Sequence, residues 1–168
     1  MEIGCSSAPV LNYLTKSIPS IRSAVGIDIN TEQIEKNRNA SHFDSRVRFI
    51  AGDGFQWVLE NGQENTLFIT NGGVLEYFPR EHLTRMLSHI STKLGNSLFF
   101  AVEPVAEDHD WATSEESIPF GDELSFSHNY QLAFASSGFE IIHQRPVVYQ
   151  QWKMMATLAH TLADTRSN

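Results

Sequence analysis

Along the chain, short continuous apolar runs alternate with apolar residues spaced three and four apart. Met1 and Ile3 form a brief apolar start that runs into Gly4-Cys5-Ser6-Ser7-Ala8-Pro9, after which Val10, Leu11, Leu14 and Ile18 recur at helical spacing. This predicts strand, tight turn, helix. A second run, Ala24-Val25-Gly26-Ile27, stops at Asp28, and Asn30-Thr31-Glu32-Gln33 offers an Asn cap with Gln three positions on, the start of another helix. Residues 46–51 read as a third strand ending at Gly52-Asp53-Gly54, and Phe55, Trp57, Val58 and Leu59 suggest a short helix closed near Asn61-Gly62. Residues 66–70 are too short and too evenly apolar for a helix, so they form a fourth strand, which ends at Asn71-Gly72-Gly73. From Pro79 onward Leu83, Met86, Leu87, Ile90 and Leu94 mark a long helix with Gly95 just past its end. Residues 97–102 (SLFFAV) make a fifth strand that runs into Glu103-Pro104. The alternation predicts an α/β three-layer sandwich, a mainly parallel sheet covered on both faces.

Residues 105–127 break the rhythm, being acidic and aromatic with no clear period, and long loops of this kind are commonly functional or mobile. Residues 128–137 resume as a helix closed by Gly138, followed by a sixth strand over 139–143. After Arg145-Pro146 a further extended run, 147–158, has no helix before it, so a hairpin with an antiparallel last strand is the economical reading. Residues 163–168 read as a polar tail. With no repeat or interdomain linker, residues 1–168 are expected to form a single domain. Because Met1 lies at the first strand, the helices that usually precede such a strand are missing, and a trimmed N-terminus or an open site is expected.

Composition narrows the function classes. The hydrophobic fraction of 41% supports one buried core, and the net charge of −8 with scattered Lys and Arg argues against a nucleic-acid surface. The single cysteine, Cys5, forms no internal disulfide and suits a reducing, cytoplasmic setting. No signal peptide is recognisable, and no apolar run approaches the ~20 residues that span a bilayer, so no membrane partner is expected.

The candidate chemistry lies at the carboxyl ends of the strands, where open α/β sheets bind ligands. Gly4 lets backbone approach a ligand and Asp28 stands where a carboxylate accepts ribose hydroxyls; alternatively, Gly4 only turns the chain and Asp28 only favours a helix N-terminus. Asp53, between two glycines, and Asn71 carry the same ambiguity between turn residue and ligand contact. A nicotinamide-binding fingerprint would need glycines at positions 6 and 9, where the chain has Ser6 and Pro9, and Pro9 removes an N–H that a pyrophosphate would use. His109, between Asp108 and Asp110, lacks the spacing by which neighbours converge on one ion, so no metal is expected and a solvated acidic loop is the simpler reading. The other histidines are isolated. Cys5 beside a helix start invites a lowered pKa, but no catalytic partner is visible, and it reads as loop backbone facing a ligand.

In order and motif the chain resembles the class I S-adenosylmethionine-dependent methyltransferases. The resemblance is carried by Glu2-Ile3-Gly4-Cys5-Ser6-Ser7-Ala8, Asp28, Gly52-Asp53-Gly54-Phe55, Asn71 with Gly72-Gly73-Val74-Leu75-Glu76, and Ser136-Ser137-Gly138-Phe139-Glu140 before the terminal hairpin. It implies a seven-stranded sheet in the order 3-2-1-4-5-7-6 with strand seven antiparallel, and S-adenosylmethionine as cofactor. Gly4, Cys5 and Ser6 would face its methionine part and Glu2 would balance its ammonium. Asp28, followed by Ile29, would take the ribose. Within Gly52-Asp53-Gly54, Asp53 would hydrogen-bond the adenine amine with Phe55 near the ring, and Asn71 and Gly72 would lie beside the amino-acid tail. Family members commonly have glycines where this chain has Ser6 and Ala8. The implied reaction is methyl transfer to oxygen or nitrogen of a small-molecule acceptor, with Glu103 and His109 as candidate bases. Metal-assisted relatives place an acid where this chain has Thr70-Asn71, which again argues for no metal. Trp111, Phe120 and Phe126 would form an apolar acceptor pocket, or a patch filled by the missing N-terminal segment or by the partner subunit of a homodimer. The alternative is a cofactor-binding or degenerate domain that acts as an interaction module.

Overall fold

The computed structural model describes residues 1–110, 113–121, 124–149 and 151–162. The chain divides into two compact units, Met1–Glu60 and Asn61–Asn168. The first begins β1 (Glu2–Ile3), α1 (Pro9–Ser17), β2 (Ala24–Asp28), α2 (Thr31–Asn39), β3 (Val47–Ala51), and α3 (Gly54–Asn61) follows. β1 pairs with β2 and β2 with β3, all parallel, with Ile3 opposite Ile27 and Asp28 opposite Ala51.

Each element has a local cause. Pro9 sits in the first turn of α1, where its missing N–H costs nothing, and Leu11 is buried. Asn30 caps α2 by accepting from the Gln33 N–H at 3.0 Å, whereas the Gln33 side chain turns forward to Asn37 instead of back to the cap. Only half of the expected capping box therefore forms. Cys5, Ala8, Leu11, Ala24, Ile34 and Phe49 make the core of this unit. Gly26 permits it: a Cβ there would meet Cys5 Sγ at 2.9 Å and Leu11 at 3.0 Å. Arg46, expected to open the third strand, lies just before β3 and acts as a clamp. Its guanidinium donates to both carboxylate oxygens of Asp44, to the carbonyl of Thr15 in the last turn of α1 and to those of Pro19 and Ile21 beyond its end.

The second unit holds β4 (Leu67–Asn71), a 3-10 turn (Leu75–Tyr77), α4 (Arg80–His89) continued by a π turn (Ile90–Leu94), and β5 (Leu98–Pro104). After these come β6 (Ile118–Phe120), β7 (Ser125–Ser127), α5 (Tyr130–Ser136), β8 (Phe139–Tyr149) and β9 (Trp152–Thr161). β4 and β5 are parallel, and β9 runs antiparallel to both β5 and β8. Phe68, Leu83, Met86, Leu87, Ile90 and Phe134 are fully buried, and Phe134 meets Phe99 and Phe139 edge-on at 5.2 and 5.4 Å. The large sheet has seven strands in the order β3-β2-β1-β4-β5-β9-β8. The inserted pair β6–β7 raises the numbers of the last two strands relative to 3-2-1-4-5-7-6. The architecture is the expected three-layer α/β fold.

Two expectations are corrected here. The sixth strand does not stop at His143: β8 continues through Pro146 to Tyr149. Because β8 is the outermost strand, Pro146 can sit in it without disrupting a central ladder. The bend in this strand is instead a bulge between Ile141 and His143. Second, residues 105–127, read as aperiodic, contain β6 and β7, whose three residues each are too few to show alternation. The expected tail, 163–168, lies outside the described residues. Among the described residues no helix is long and apolar enough to cross a membrane.

Candidate functional site

In the first unit the expected residues gather at the carboxyl ends of β1, β2 and β3. The loop after β1 has Gly4, Ser6 and Ala8 at φ of 67°, 45° and 53°, three left-handed residues within five positions. Asp28, ending β2, holds this loop: its Oδ2 accepts the Ser6 N–H at 2.8 Å and its Oδ1 the Asn30 N–H at 2.9 Å. Each carboxylate oxygen keeps a further lone pair for a hydroxyl donor. Ile29 beside it is 79% exposed. After β3, Gly52 donates to the Asp28 carbonyl at 2.9 Å, and a Cβ there would meet nothing within 4 Å. Asp53 is exposed, and its Oδ1 accepts the Gln56 N–H, so it caps α3. Gly54 packs on Ile3, and the Phe55 side chain is buried in the first turn of α3.

Glu2 is 2% exposed; its Oε2 has no hydrogen-bond partner, although its carboxylate faces the Leu11 N–H of α1. Burial pushes its pKa up to about 7, against the opposing pull of that N–H. Cys5 departs from the lowered pKa that its position invites. Its thiol lies in the core and is pushed up to about 12, first by burial and then by the negative charges of Glu2 and Asp28. Its N–H is taken by the Ile27 carbonyl at 2.9 Å.

In the second unit Asn71 ends β4 and is exposed. Gly72 and Gly73 follow at φ of 85° and 91°, and Gly72 donates to the Val102 carbonyl at 2.9 Å. A Cβ on Gly73 would collide with Glu76 Oε1. Glu103 is fully buried, and its Oε2 accepts two backbone N–H groups, from Val74 at 2.8 Å and Leu75 at 2.9 Å. Burial pushes its pKa up to about 7 despite the polar contacts of Thr70, Val74 and Leu75.

His109 overturns the solvated-loop reading: it is 4% exposed, with Nδ1 2.8 Å from Ser127 Oγ, which also accepts the Ala106 N–H at 3.0 Å. β7, invisible in the sequence, supplies that hydroxyl. Next to it, His128 is buried, pairs through Nδ1 with Ser117 Oγ at 2.7 Å, and has a pKa lowered to about 4 by burial. Its ring lies 5.6 Å from that of the buried Tyr130. Sequence reasoning left His128, Ser127 and Tyr130 aside, since the three residues of β7 carry no readable period. Of the proposed acceptor-pocket aromatics, Trp111 lies outside the described residues and Phe126 is half-buried in β7, 5.9 Å from the His128 ring. Among the described residues no three His, Cys, Asp or Glu side chains are grouped so as to hold a metal ion.

A family model described as a methyltransferase domain matches residues 1–96. A search of curated proteins by sequence gives no match. Among solved structures, LepI in complex with S-adenosylmethionine superposes with a TM-score of 0.69 at 14% identity, covering 96% of this chain and 42% of LepI. Magnesium protoporphyrin IX methyltransferase from Synechocystis PCC 6803, with bound S-adenosylmethionine, gives 0.65 at 14% identity, covering 96% of this chain and 68% of that enzyme. An S-adenosylmethionine-dependent methyltransferase from Clostridium acetobutylicum gives 0.65 at 10% identity, covering 96% and 82%. The chain thus spans less than half the length of LepI, and at these identities the likeness is one of fold. With more than half of its residues matched by the family model and its strands in the matching order, the chain belongs to the methyltransferase-domain family and has the Rossmann-like fold of class I methyltransferases.

Proposed function

We propose that this chain binds S-adenosylmethionine at the strand ends of the first unit and transfers its methyl group to oxygen or nitrogen of a small-molecule acceptor. One observation carries the reading: Asp28 accepts the Ser6 N–H and so locks the loop after β1 to the end of β2. This arrangement leaves lone pairs for ribose hydroxyls at a rim that is already rigid. Two further features fit the group. Glu2 Oε2 is buried without a partner, the environment in which an ammonium would be welcome, and the space over Gly52 is open. The sulfonium of the cofactor supplies an activated methyl group.

The residues of the chain then have to position and orient. Asp28 would hold the ribose and Asp53 the adenine amine. Aligning an acceptor with the methyl can lower the barrier by ~7–11 kcal/mol without a dedicated nucleophile. Glu103 and His109 are both buried and engaged, so neither is assigned as a base in contact with the acceptor.

Thermal unfolding in the presence of S-adenosylmethionine tests the proposal. Saturating cofactor should raise the Tm of the protein by several degrees, and Asp28→Ala should abolish that rise. No shift in the wild-type protein at millimolar cofactor overturns the reading. Turnover against a panel of phenol, carboxylate and amine acceptors then identifies the class that is methylated.

A further inference from the structure

In the second unit burial alternates along β5 and β9, and because neighbours in a strand point to opposite sides, the alternation separates two faces of the sheet. On one face Phe99, Ala101 and Ala159 are buried, and α5 packs there through Phe134, edge-on to Phe99 at 5.2 Å. On the other face the apolar character is the same but the cover is not: Leu98 is exposed, and Phe100 and Leu158, directly opposite one another, are half-buried. The same side continues to the end of the last hairpin, where the opposed pair Tyr149 and Trp152 is 66% and 49% exposed. Charged residues on this side, Glu140 and Arg145, lie on the outermost strand and leave the centre apolar.

We propose that this face is the contact between two copies of the chain, packed sheet against sheet about a two-fold axis, with Phe100 and Leu158 at its centre and Tyr149 and Trp152 towards its ends. The inference is independent of which ligand the chain binds. Size is the first argument. At the usual strand spacing and rise the three outer strands β5, β9 and β8 present an outline of roughly 450 Å². Pleated side chains expose more area than the outline beneath them, so two such faces laid together would bury an area on the scale of the ~800 Å² per partner of a standard interface. Symmetry is the second argument, since a two-fold contact needs a surface that matches itself, and here an apolar centre meets an apolar centre while Glu140 and Arg145 stay at the margin without burying a lone charge. Finally, the alternative route to a dimer, edge-to-edge pairing of β8, is discouraged by Pro146.

Sedimentation velocity over about 5 to 500 μM protein tests the proposal, because a dimer dissociates on dilution. The wild type should sediment as a dimer in the upper part of this range. Leu98→Lys combined with Tyr149→Lys puts two charges on the face at exposed positions and should raise the dissociation constant at least fivefold. Val148→Lys is the control: this exposed neighbour of Tyr149 points to the opposite face, and the substitution should leave the constant within twofold. Should the double variant lose its fold by circular dichroism, Tyr149→Lys alone should weaken the dimer at least threefold. A wild type that stays monomeric at the highest concentration overturns the inference. So does a dimer that the face variants weaken by less than these factors, or one that Val148→Lys weakens as much, since the contact would then lie elsewhere on the molecule.

Discussion

Ser6 and Ala8 hold φ of 45° and 53°, which L side chains adopt at a cost of roughly 1–2 kcal/mol each. At these positions glycine is the family habit, and the backbone keeps the shape that glycine would give. The compensation differs between the two. Ala8 is fully buried, so its methyl group returns packing energy, whereas Ser6 is exposed and is held through its backbone, its N–H donating to Asp28 and its carbonyl accepting from Asn37 Nδ2 at 2.7 Å. Ser6→Gly should therefore stabilise the protein by roughly 0.5–1 kcal/mol in urea unfolding, the relief of strain less the added chain entropy. Ala8→Gly should gain nothing, because it also deletes a buried methyl. Asp28→Ala should lower stability by about 1–3 kcal/mol even without ligand, since two amides lose a charged acceptor. Cys5 offers a simpler check. With its thiol buried and pushed up to about 12, it should resist iodoacetamide at pH 8 in the native state and react on denaturation. Fast labelling of the folded protein would contradict that burial.

At the scale of elements, what could be read in advance depended on how burial writes itself into sequence. β2, β4 and β5 are buried parallel strands, and each appears as a continuous apolar run whose end falls at Asp28, Asn71 or Glu103-Pro104. The glycine-rich turns after them were legible for the same reason. β6 and β7 were not, because three residues show no period and the hydroxyl of Ser127 gains meaning only against His109. Glu103 looked like an exposed base because its amide partners, Val74 and Leu75, lie 28 to 29 positions away. Pro146 misled for a different reason: it breaks helices and central strands, but an outermost strand tolerates it. A proline on an outermost strand discourages pairing with another chain. Pro146→Val should accordingly increase self-association, seen as a larger apparent mass by light scattering at high protein concentration. An unchanged mass would mean that the bulge near Ile142 protects this edge unaided.

For the chain as a whole, each compact unit buries a carboxyl group pushed up to about 7, Glu2 in the first and Glu103 in the second. From 4.5, the ordinary value, up to about 7, the folded chain keeps a proton on Glu103 that the unfolded chain has released, so this group makes stability fall as pH rises. Above about 7 its full cost is present. His128 works in the opposite sense: its pKa falls from 6.5 to about 4, so between those values the unfolded chain takes up a proton that the folded chain refuses, and stability rises with pH. The loss from Glu103 and the gain from His128 overlap between about 4.5 and 6.5, and Glu2 adds to the loss, so the informative quantity is a difference between proteins. Glu103→Gln removes one ionisation and retains an acceptor for the two amides. Its stability relative to wild type should be nearly constant below pH 4.5, climb through the window and level off above pH 7, gaining at most about 3 kcal/mol. Urea unfolding of the two proteins at half-unit steps from pH 4.5 to 8 reads this directly. A difference that stays flat across the range would show that Glu103 ionises at its ordinary value, and that its carboxylate is solvated by the amides of Val74 and Leu75 well enough to cancel the cost of burial.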